Sequence, residues 1–236
     1  MKKVKNIIPS CLDCQNKNKV FCAMSTEEKA EVSREKGHNF YKKGQTIFYE
    51  GNHSNGLYCI HSGKVSLTKL GDDGKRQVVR FAKEGEILGY RSLISGDSYQ
   101  ATATAIEDCT ICFVQKEKFN ELIATNAGVA VNSMQLLASD LRNAENKLIS
   151  IAQKSVKERI IESILLLQET FGFENDGETL DVTLSRAEIA DTAGTTTETT
   201  IRTLAKLSDE NLINLVGKKI KILNLGELKK ACSVLD

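Results

Sequence analysis

The chain has 236 residues, which suits one large or two ordinary domains, and 41% of them are hydrophobic, enough to build a core. A formal net charge of +1 identifies no class of partner, and no apolar run approaches the ~20 residues of a membrane helix, so we expect no membrane span. No apolar signal core follows the basic start, so we expect a cytoplasmic protein whose seven cysteines stay reduced and suit metal binding or redox chemistry.

Residues 1–25 are predicted to form a cysteine-rich N-terminal arm, in which Cys11, Cys14 and Cys22 follow the spacing C-x2-C-x7-C. A loop of this length can place three thiolates around one inorganic centre, with a fourth ligand from elsewhere in the chain. Four thiolates suit an iron–sulfur cluster or an all-cysteine zinc site. The alternative is that these cysteines are small buried hydrophobic groups that bind no metal.

Residues 26–126 are punctuated by glycine. Ten of the sixteen glycines fall between Gly37 and Gly96, with short β-prone runs between them. Short strands separated by glycine turns are typical of an antiparallel β-roll or barrel. The sequence GDDG at residues 71–74, between two alternating runs, predicts a hairpin turn. We therefore predict a β-roll sensor domain in this part of the chain.

Residues 127–153 contain no proline, and their apolar residues recur at alternating steps of three and four. This heptad seam consists of Met134, Leu137, Leu141, Ala144, Leu148 and Ile151. A narrow seam favours a partner helix, so we predict a dimerisation helix, and packing on its own domain is the alternative. Asp140, at the edge of the seam, would then repel its counterpart in a second subunit.

Two capping boxes predict the helices of the C-terminal part. Ser185 with Glu188 begins one helix, which Gly194 ends. Thr195 with Glu198 begins a second helix that continues to about residue 209. Two short helices joined by a turn that contains glycine are typical of a helix-turn-helix.

The alternation around Gly217 predicts a two-stranded wing, so we expect residues 154–236 to form a winged helix-turn-helix DNA-binding domain. The second helix of such a domain enters the major groove, where Arg can bond guanine and Glu can accept from cytosine. Lysines on the wing suit phosphate contacts. The predicted DNA-binding residues are Ser185, Thr195, Thr196, Thr197, Glu198, Thr199, Arg202, Lys218 and Lys219. The alternative is a winged helix used only for packing or protein contacts.

The order of these parts, and above all the stretch LSRAEIADTAGTTTETTIRTLAKLSDENLI at residues 184–213, resembles the Crp/Fnr family of bacterial transcription regulators. The resemblance implies an α+β fold: an N-terminal antiparallel β-roll like a cyclic-nucleotide-binding domain, a long dimerisation helix and a C-terminal winged helix-turn-helix. It implies a homodimer that binds double-stranded DNA at a two-fold symmetric site and contacts RNA polymerase. Glu198 and Arg202 match the family's Glu and Arg that read a G–C core. No catalytic motif is present, so we expect no enzyme.

The phosphate-binding stretch of the family's cyclic-nucleotide members is not matched. Those members resemble one another in Gly-Glu-Leu followed by Arg-Ser-Ala, and this chain has Gly89-Tyr90-Arg91 and then Tyr99-Gln100-Ala101. Replacing a bidentate Arg removes the strongest contact available to a phosphate. We therefore expect no cyclic AMP, while Arg91 leaves another small anion open.

The arm cysteines resemble those of the oxygen-sensing branch of the family, in which a strand near the end of the roll supplies the fourth ligand. The resemblance implies a [4Fe–4S] cluster on Cys11, Cys14, Cys22 and Cys112, with Cys109 as the second candidate for the strand ligand. Zinc binding, the absence of any metal, and a haem, nitric oxide or small-anion signal stay open beside the cluster. On the cluster hypothesis oxygen destroys the cluster, frees the arm and shifts the dimer towards monomers.

Overall fold

The computed structural model describes residues 9–12, 14 and 20–232, which divide into two compact units. The first unit contains the described residues up to Thr68 together with Arg80–Arg142. The second contains Lys69–Val79 together with the described residues from Asn143 onward. No helix in the described ranges is both long and apolar enough to cross a membrane.

A β-roll of two four-stranded sheets forms the centre of the first unit. Its strands are β1 (Gly37–Tyr41), β2 (Thr46–Phe48), β3 (Gly56–Ser62), β4 (Lys64–Leu70), β5 (Arg76–Lys83), β6 (Ile87–Leu88), β7 (Thr102–Ala105) and β8 (Cys109–Gln115). One sheet has the order β1-β8-β3-β6 and the other has the order β2-β7-β4-β5. Apolar residues from both sheets, including Ile47, Val65 and Ile111, form the core between them.

The predicted hairpin is confirmed between β4 and β5. The Gly71 N–H donates to the Lys75 carbonyl at 2.8 Å, and the Gly74 N–H donates to the Gly71 carbonyl at 2.9 Å. Gly74 has a φ of +76°, a conformation that glycine adopts without the steric cost of a side chain.

Helices of the first unit cover one sheet of the roll. They are a 3-10 turn (Phe21–Ala23), α1 (Thr26–Glu35), α2 (Tyr90–Ser95), α3 (Lys116–Thr125) and the long helix α4 (Ala127–Gln153), which continues into the second unit. A second apolar core joins Val32 of α1, Leu57 of β3, Tyr90 of α2, Phe119 of α3 and Val129 of α4. This core fixes the N-terminal segment and the start of α4 against the sheet that carries β3 and β8.

The second unit is a winged helix-turn-helix. Its elements are α5 (Val156–Phe171), α6 (Arg186–Ala193), α7 (Thr197–Asp209), β9 (Ile213–Val216), β10 (Lys219–Ile222) and α8 (Leu225–Lys230). Helix α6 packs on both α5 and α7, and the buried residues Ile160, Ile164 and Leu204 fill the space between these helices. Strands β9 and β10 pair antiparallel about Gly217, as the alternating sequence predicted. The architecture of the chain is therefore α+β, as expected.

Candidate metal centre and nucleic-acid interface

Two cysteines face each other across the sheet that contains β3 and β8. These strands pair antiparallel with Cys59 opposite Cys112, and β1 places His38 opposite Cys112 on the other side. Directly paired residues carry their side chains on the same face of a sheet, with Cβ atoms about 4.5–5.5 Å apart. The thiols of Cys59 and Cys112 are therefore neighbours, with Cys112 buried and Cys59 half-buried.

The N-terminal arm brings two further thiols to this face. The backbone N–H of Cys11 donates to Oγ of Ser33 on α1 at 3.2 Å, and the Cys11 side chain packs on the same core as Cys59. The Sγ of Cys14 lies 3.9 Å from Nδ1 of His61 on β3. The two arm cysteines are close enough to the pair across the sheet for their thiolates to interact electrostatically.

The ammonium group of Lys36 lies among these thiols. Lys36 is the residue after α1, and its Nζ lies 3.4 Å from Sγ of Cys112 and also hydrogen-bonds Cys11. Burial alone would lower the pKa of Lys36, but the sulfur atoms of Cys112 and Cys11 raise it above its ordinary value. Burial likewise raises the pKa of the Cys112 thiol, and the charge of Lys36 opposes that rise. Lys36 thus supplies positive charge where thiolates would have to form.

The third arm cysteine has different surroundings. Cys22 lies in the 3-10 turn, is exposed, and has its Sγ 3.7 Å from Nδ2 of Asn132 on α4. The same amide donates to the carbonyl of the buried Val20 at 3.5 Å. In the part of the chain that the structure describes, no group of three or more His, Cys, Asp or Glu side chains is arranged to hold a metal ion. Of the four predicted ligands, Cys11, Cys14 and Cys112 therefore lie near one another but are not arranged to ligate a metal ion. Cys22 lies in different surroundings.

The second candidate for the strand ligand, Cys109, is turned away from the arm. Residues three apart on a strand point to opposite faces, so Cys109 and Cys112 lie on different sides of β8. The Cys109 thiol donates to the carbonyls of Lys64 and Glu107 at 3.3 and 3.2 Å, and it packs in the core between the two sheets. Burial raises the pKa of Cys109 to about 11.

Tyr99 is one of the two residues, with Gln100, that stand where the resemblance puts a phosphate-binding Arg. Its ring is buried and packs on Phe48 with centroids 4.2 Å apart, and its hydroxyl donates to the Gly56 carbonyl at 2.7 Å. Tyr58 stacks on the other side of this group, 5.1 Å from the Phe48 ring. Aromatic side chains thus surround Tyr99 in this part of the roll. The expectation that the chain binds no cyclic AMP stays a prediction.

The carboxylate of Asp140 is neutralised within its own subunit. It accepts a hydrogen bond from the hydroxyl of Tyr90 and lies 3.8 Å from guanidinium nitrogens of both Arg80 and Arg91. Arg80 also pairs with Glu86 at 2.7 Å. The Asp140 side chain is only 12% exposed. The prediction that Asp140 repels its counterpart across the seam is therefore wrong, because two arginines already balance its charge.

The predicted seam of α4 leaves apolar surface uncovered. Leu137 is half-buried against the core of the first unit. The exposed seam residues are Met134, Leu141, Ala144, Leu148 and Ile151, of which Met134, Leu141 and Leu148 are 59%, 62% and 69% exposed. Contiguous exposed apolar surface on a folded chain usually marks an interaction site.

The first capping box of the helix-turn-helix is confirmed. Ser185 Oγ accepts from the Glu188 N–H at 3.2 Å, and the Glu188 carboxylate accepts from the Ser185 N–H at 2.6 Å. Gly194 ends α6 in the left-handed conformation, with a φ of +66°. These features fix the start of α6 and the position of the turn that follows it.

The second cap differs from the prediction by one position. Thr196, not Thr195, is the N-cap of α7, and its Oγ1 accepts from the Thr199 N–H at 3.2 Å. The backbone N–H of Thr195 donates instead to the Ala190 carbonyl at 3.1 Å, which makes Thr195 part of the turn. The predicted Thr195–Glu198 capping box is therefore wrong, because three consecutive threonines offer equivalent caps and the end of α6 selects among them.

The N-cap and the first two turns of α7 present mostly polar side chains to solvent. The exposed residues are Thr196, Thr197, Glu198, Ile201 and Arg202, and Thr195 and Thr199 are half-buried. Nη2 of Arg202 lies 3.5 Å from Oγ1 of Thr199. An accepting carboxylate and a donating guanidinium four residues apart share one helix face, the arrangement that major-groove readout uses.

Of the two wing lysines predicted to contact DNA, one lies at the tip of the wing and the other is in an ion pair. Lys218 is exposed at the turn, while Nζ of Lys219 lies 2.7 Å from the Glu174 carboxylate. Arg186, the first residue of α6, donates to the Gly217 carbonyl at 2.9 Å and so ties the wing to the start of α6. Of the two predicted wing contacts, Lys218 has the side chain more open to a phosphate.

Residues of these sites that were not predicted from the sequence include Lys36, Cys59 and Arg186. Lys36 and Cys59 reach Cys112 only through the pairing of β1 and β3 with β8. If the strand register had been known, both residues could have been predicted. Cys59 pairs directly with Cys112, and Lys36 immediately precedes β1, which pairs with β8. Arg186 follows the Ser185 cap, and no local pattern indicates its bond to the wing.

Comparison with known proteins identifies both halves of the chain. Residues 38–126 match the model of the cyclic nucleotide-binding domain, and residues 158–231 match that of the Crp-like helix-turn-helix domain. The fumarate and nitrate reduction regulatory protein of Vibrio cholerae is 26% identical over 82% of this chain and 77% of its own. The transcriptional activator protein FnrL of Cereibacter sphaeroides is 26% identical over 92% and 89%.

A solved structure agrees with these sequence matches. FixK2 from Bradyrhizobium japonicum superposes with a TM-score of 0.76 at 25% identity, over 85% of this chain and 99% of that one. The curated relatives are transcription regulators and not enzymes. The chain belongs to the Crp/Fnr family of DNA-binding transcription regulators.

Proposed function

We propose that this regulator acts as a homodimer and responds to oxygen or redox state through a [4Fe–4S] cluster held by its cysteines. The observation that carries the proposal is the meeting of Cys11 and Cys112 at the ammonium of Lys36, with Cys14 close enough to interact electrostatically with Cys112. Thiolates are the ligands of such clusters, and a cation beside them favours the deprotonated form. The likeness to a protein named for fumarate and nitrate reduction also supports it.

Cys22 is the proposed fourth ligand. Its thiol is exposed, and much of the loop between Cys14 and Cys22 lies outside the described residues. Cys59 is closer to the other thiols, but burial, with Cys112 and Cys11 beside it, raises its pKa well above the ordinary value, and only a thiolate ligates. When bound, the cluster supplies an oxygen-sensitive connection between the arm and the roll.

The contacts of Cys22 connect this site with the long helix. Cys22 lies against Asn132 of α4, and the Asn126 amide donates to the carbonyl of Ala23 at 3.2 Å. Gly128 permits this close packing, because a Cβ there would lie 2.7 Å from the Cβ of Ala23. Movement of Cys22 towards the other thiols changes these contacts at the first turns of the helix that carries the predicted seam.

Dimerisation through the seam of α4 fixes the distance between the α7 helices of the two subunits, which are the recognition helices. Two α7 helices about one DNA turn apart, ~34 Å, enter successive major grooves of a two-fold symmetric site. Glu198 and Arg202 then read base edges, and Lys218 contacts a phosphate. Such a regulator acts on DNA in the bacterial cytoplasm and works through RNA polymerase.

The position of His61 favours zinc as a second candidate for the metal bound at this centre. With its Nδ1 3.9 Å from the Cys14 sulfur, it could join Cys11, Cys14 and Cys112 in a tetrahedral zinc site of the Cys3His type. Zinc does not undergo redox chemistry, so the arm would then be fixed permanently. The regulator would in that case respond to another signal, such as a small anion or haem.

DNA binding by anaerobic protein tests the proposed function. We compare the wild type with Cys112→Ser and with Cys109→Ala, at one stated salt concentration, on a palindromic site with a G–C core. The wild type and Cys109→Ala are expected to bind without oxygen and to lose affinity in air, whereas Cys112→Ser binds weakly in both conditions. A wild-type affinity that air leaves unchanged contradicts the proposal.

A further inference from the structure

The last carbonyl groups of α6 are held by side chains from three other segments. The final four carbonyls of a helix have no partner within that helix, and cations near them are stabilising. In this chain the carbonyls of Thr192, Ala193 and Gly194 accept hydrogen bonds from Gln77, Lys147 and Arg159. All six of these residues belong to the second unit.

Arg159 makes most of these contacts. Its Nε donates to the Ala193 carbonyl at 2.9 Å, and its Nη2 donates to the Gly194 carbonyl at 3.3 Å. Its Nη1 donates to the carbonyl of Lys154 at 2.9 Å, immediately after the last residue of α4. One planar guanidinium therefore joins the junction between α4 and α5 to the turn of the helix-turn-helix.

Two further donors reach the carbonyl of Thr192. Nζ of Lys147 on α4 donates to it at 2.8 Å, and Nε2 of Gln77 in β5 donates to it at 3.3 Å. Lys147 immediately precedes Leu148, a residue of the predicted seam. The last turn of α6 is thus bonded both to the long helix and to the β4–β5 hairpin.

We propose that Arg159, supported by Lys147, is a positioning residue for DNA recognition, because it fixes the turn before α7 against the end of α4. The N-cap of α7, Thr196, follows this turn by two residues, so the position of the turn sets the entry of α7 into the major groove. Neither cation needs to contact DNA for this role. The inference concerns DNA binding and does not depend on which metal the cysteines hold.

The test compares three variants of the full-length protein isolated without oxygen. Arg159→Met removes all three hydrogen bonds, and Arg159→Lys keeps the charge but loses the planar fork. Lys157→Met is the matched control, because Lys157 lies on the same helix and pairs with Glu210 at the surface, where such pairs contribute little. Affinity is measured for the palindromic site and for a scrambled site over a range of salt, together with amide exchange at Thr195–Thr199.

Arg159→Met is expected to bind the palindromic site about tenfold more weakly, which corresponds to ~1.4 kcal/mol. Its affinity for scrambled DNA and its salt dependence stay unchanged, because no phosphate contact is lost. The amides of Thr195–Thr199 exchange faster in Arg159→Met than in the wild type. In both DNA affinity and amide exchange, Arg159→Lys lies between Arg159→Met and the wild type, and Lys157→Met matches the wild type.

Two results would overturn the inference. One is that Arg159→Met binds the palindromic site with wild-type affinity and its amides exchange at unchanged rates. The other is an equal loss of affinity for palindromic and scrambled DNA, which indicates a smaller folded fraction and not a misplaced helix. If Arg159→Met does not fold, Lys147→Met provides the same comparison. The proposal is contradicted if Lys147→Met distinguishes palindromic from scrambled DNA as well as the wild type does and its amides exchange at wild-type rates.

Discussion

Nζ of Lys36 lies 3.4 Å from Sγ of Cys112, although the two residues are 76 positions apart in the chain. Lys36 ends α1, and β1 begins at the next residue and pairs with β8 so that His38 stands opposite Cys112. The fold therefore places a positive charge beside a thiol whose pKa is raised by burial, and that charge opposes the rise. On the proposed function, we expect metal binding at this site to depend on that charge as well as on the sulfur ligands.

Replacing Lys36 by Met keeps the apolar part of the side chain and removes the charge. Losing one charge-assisted hydrogen bond costs ~1.5–3 kcal/mol, so we expect iron to be lost in air roughly 10- to 100-fold faster than from the wild type. The decay of visible absorbance after exposure to air measures this rate. Arg34→Met, at an exposed position near the end of α1, is the control for charge. Equal decay rates in the two variants would show that the charge of Lys36 has no role.

Cys22→Ser and Cys59→Ser distinguish the two candidates for the fourth ligand. Cys22→Ser is expected to lose most of its iron, and Cys59→Ser is expected to keep it, because the raised pKa of the Cys59 thiol disfavours the thiolate. Iron and sulfide assays on anaerobic protein measure both, with Cys232→Ser as a control for the loss of a remote thiol. The opposite pattern would assign the fourth position to Cys59.

Lys218 and Lys219 are expected to differ in their contribution to DNA binding. Each phosphate contact adds about 0.9 to the slope of log affinity against log salt, so Lys218→Ala should reduce that slope by about this amount per subunit. Lys219→Ala should have a smaller effect, because Lys219 pairs with Glu174 at 2.7 Å. Salt titrations of DNA binding measure both slopes. A larger reduction for Lys219→Ala would contradict the assignment.

Leu148→Glu tests the seam of α4. Burying one Leu side chain contributes ~1.5–3 kcal/mol, and a dimer buries two copies, so the dimer dissociation constant should rise by at least about 100-fold. Analytical ultracentrifugation under anaerobic conditions measures the dissociation constant. Gln135→Glu, at an exposed α4 position outside the seam, is the control and should leave it unchanged. A dimer that persists in Leu148→Glu would place the subunit interface elsewhere.

Local patterns were sufficient to predict several parts of the fold. The β4–β5 hairpin, the Ser185–Glu188 capping box and the wing around Gly217 each depend on residues within a few positions of one another. Turn and cap chemistry acts at that range, so the local sequence was sufficient to predict these three features. The same holds for the long apolar stripe of α4, whose period is visible without a structure.

Features that depend on distant residues were not predictable in this way. Asp140 looked like an unpaired charge at a seam, but Arg80 and Tyr90 reach it from elements 60 and 50 positions earlier. The N-cap moved from Thr195 to Thr196 because the end of α6 uses the Thr195 N–H. Lys36 entered the thiol site through strand pairing. For Asp140 and Lys36 the deciding contacts are tertiary, whereas the N-cap was selected by the end of the adjoining helix α6.

The iron and acid-labile sulfide content of protein isolated without oxygen tests the central claim most directly. The account predicts about four iron and four sulfide per subunit, with visible absorbance that disappears in air together with the dimer. Colourless protein without iron that is fully dimeric, or protein with one zinc per subunit, would contradict it.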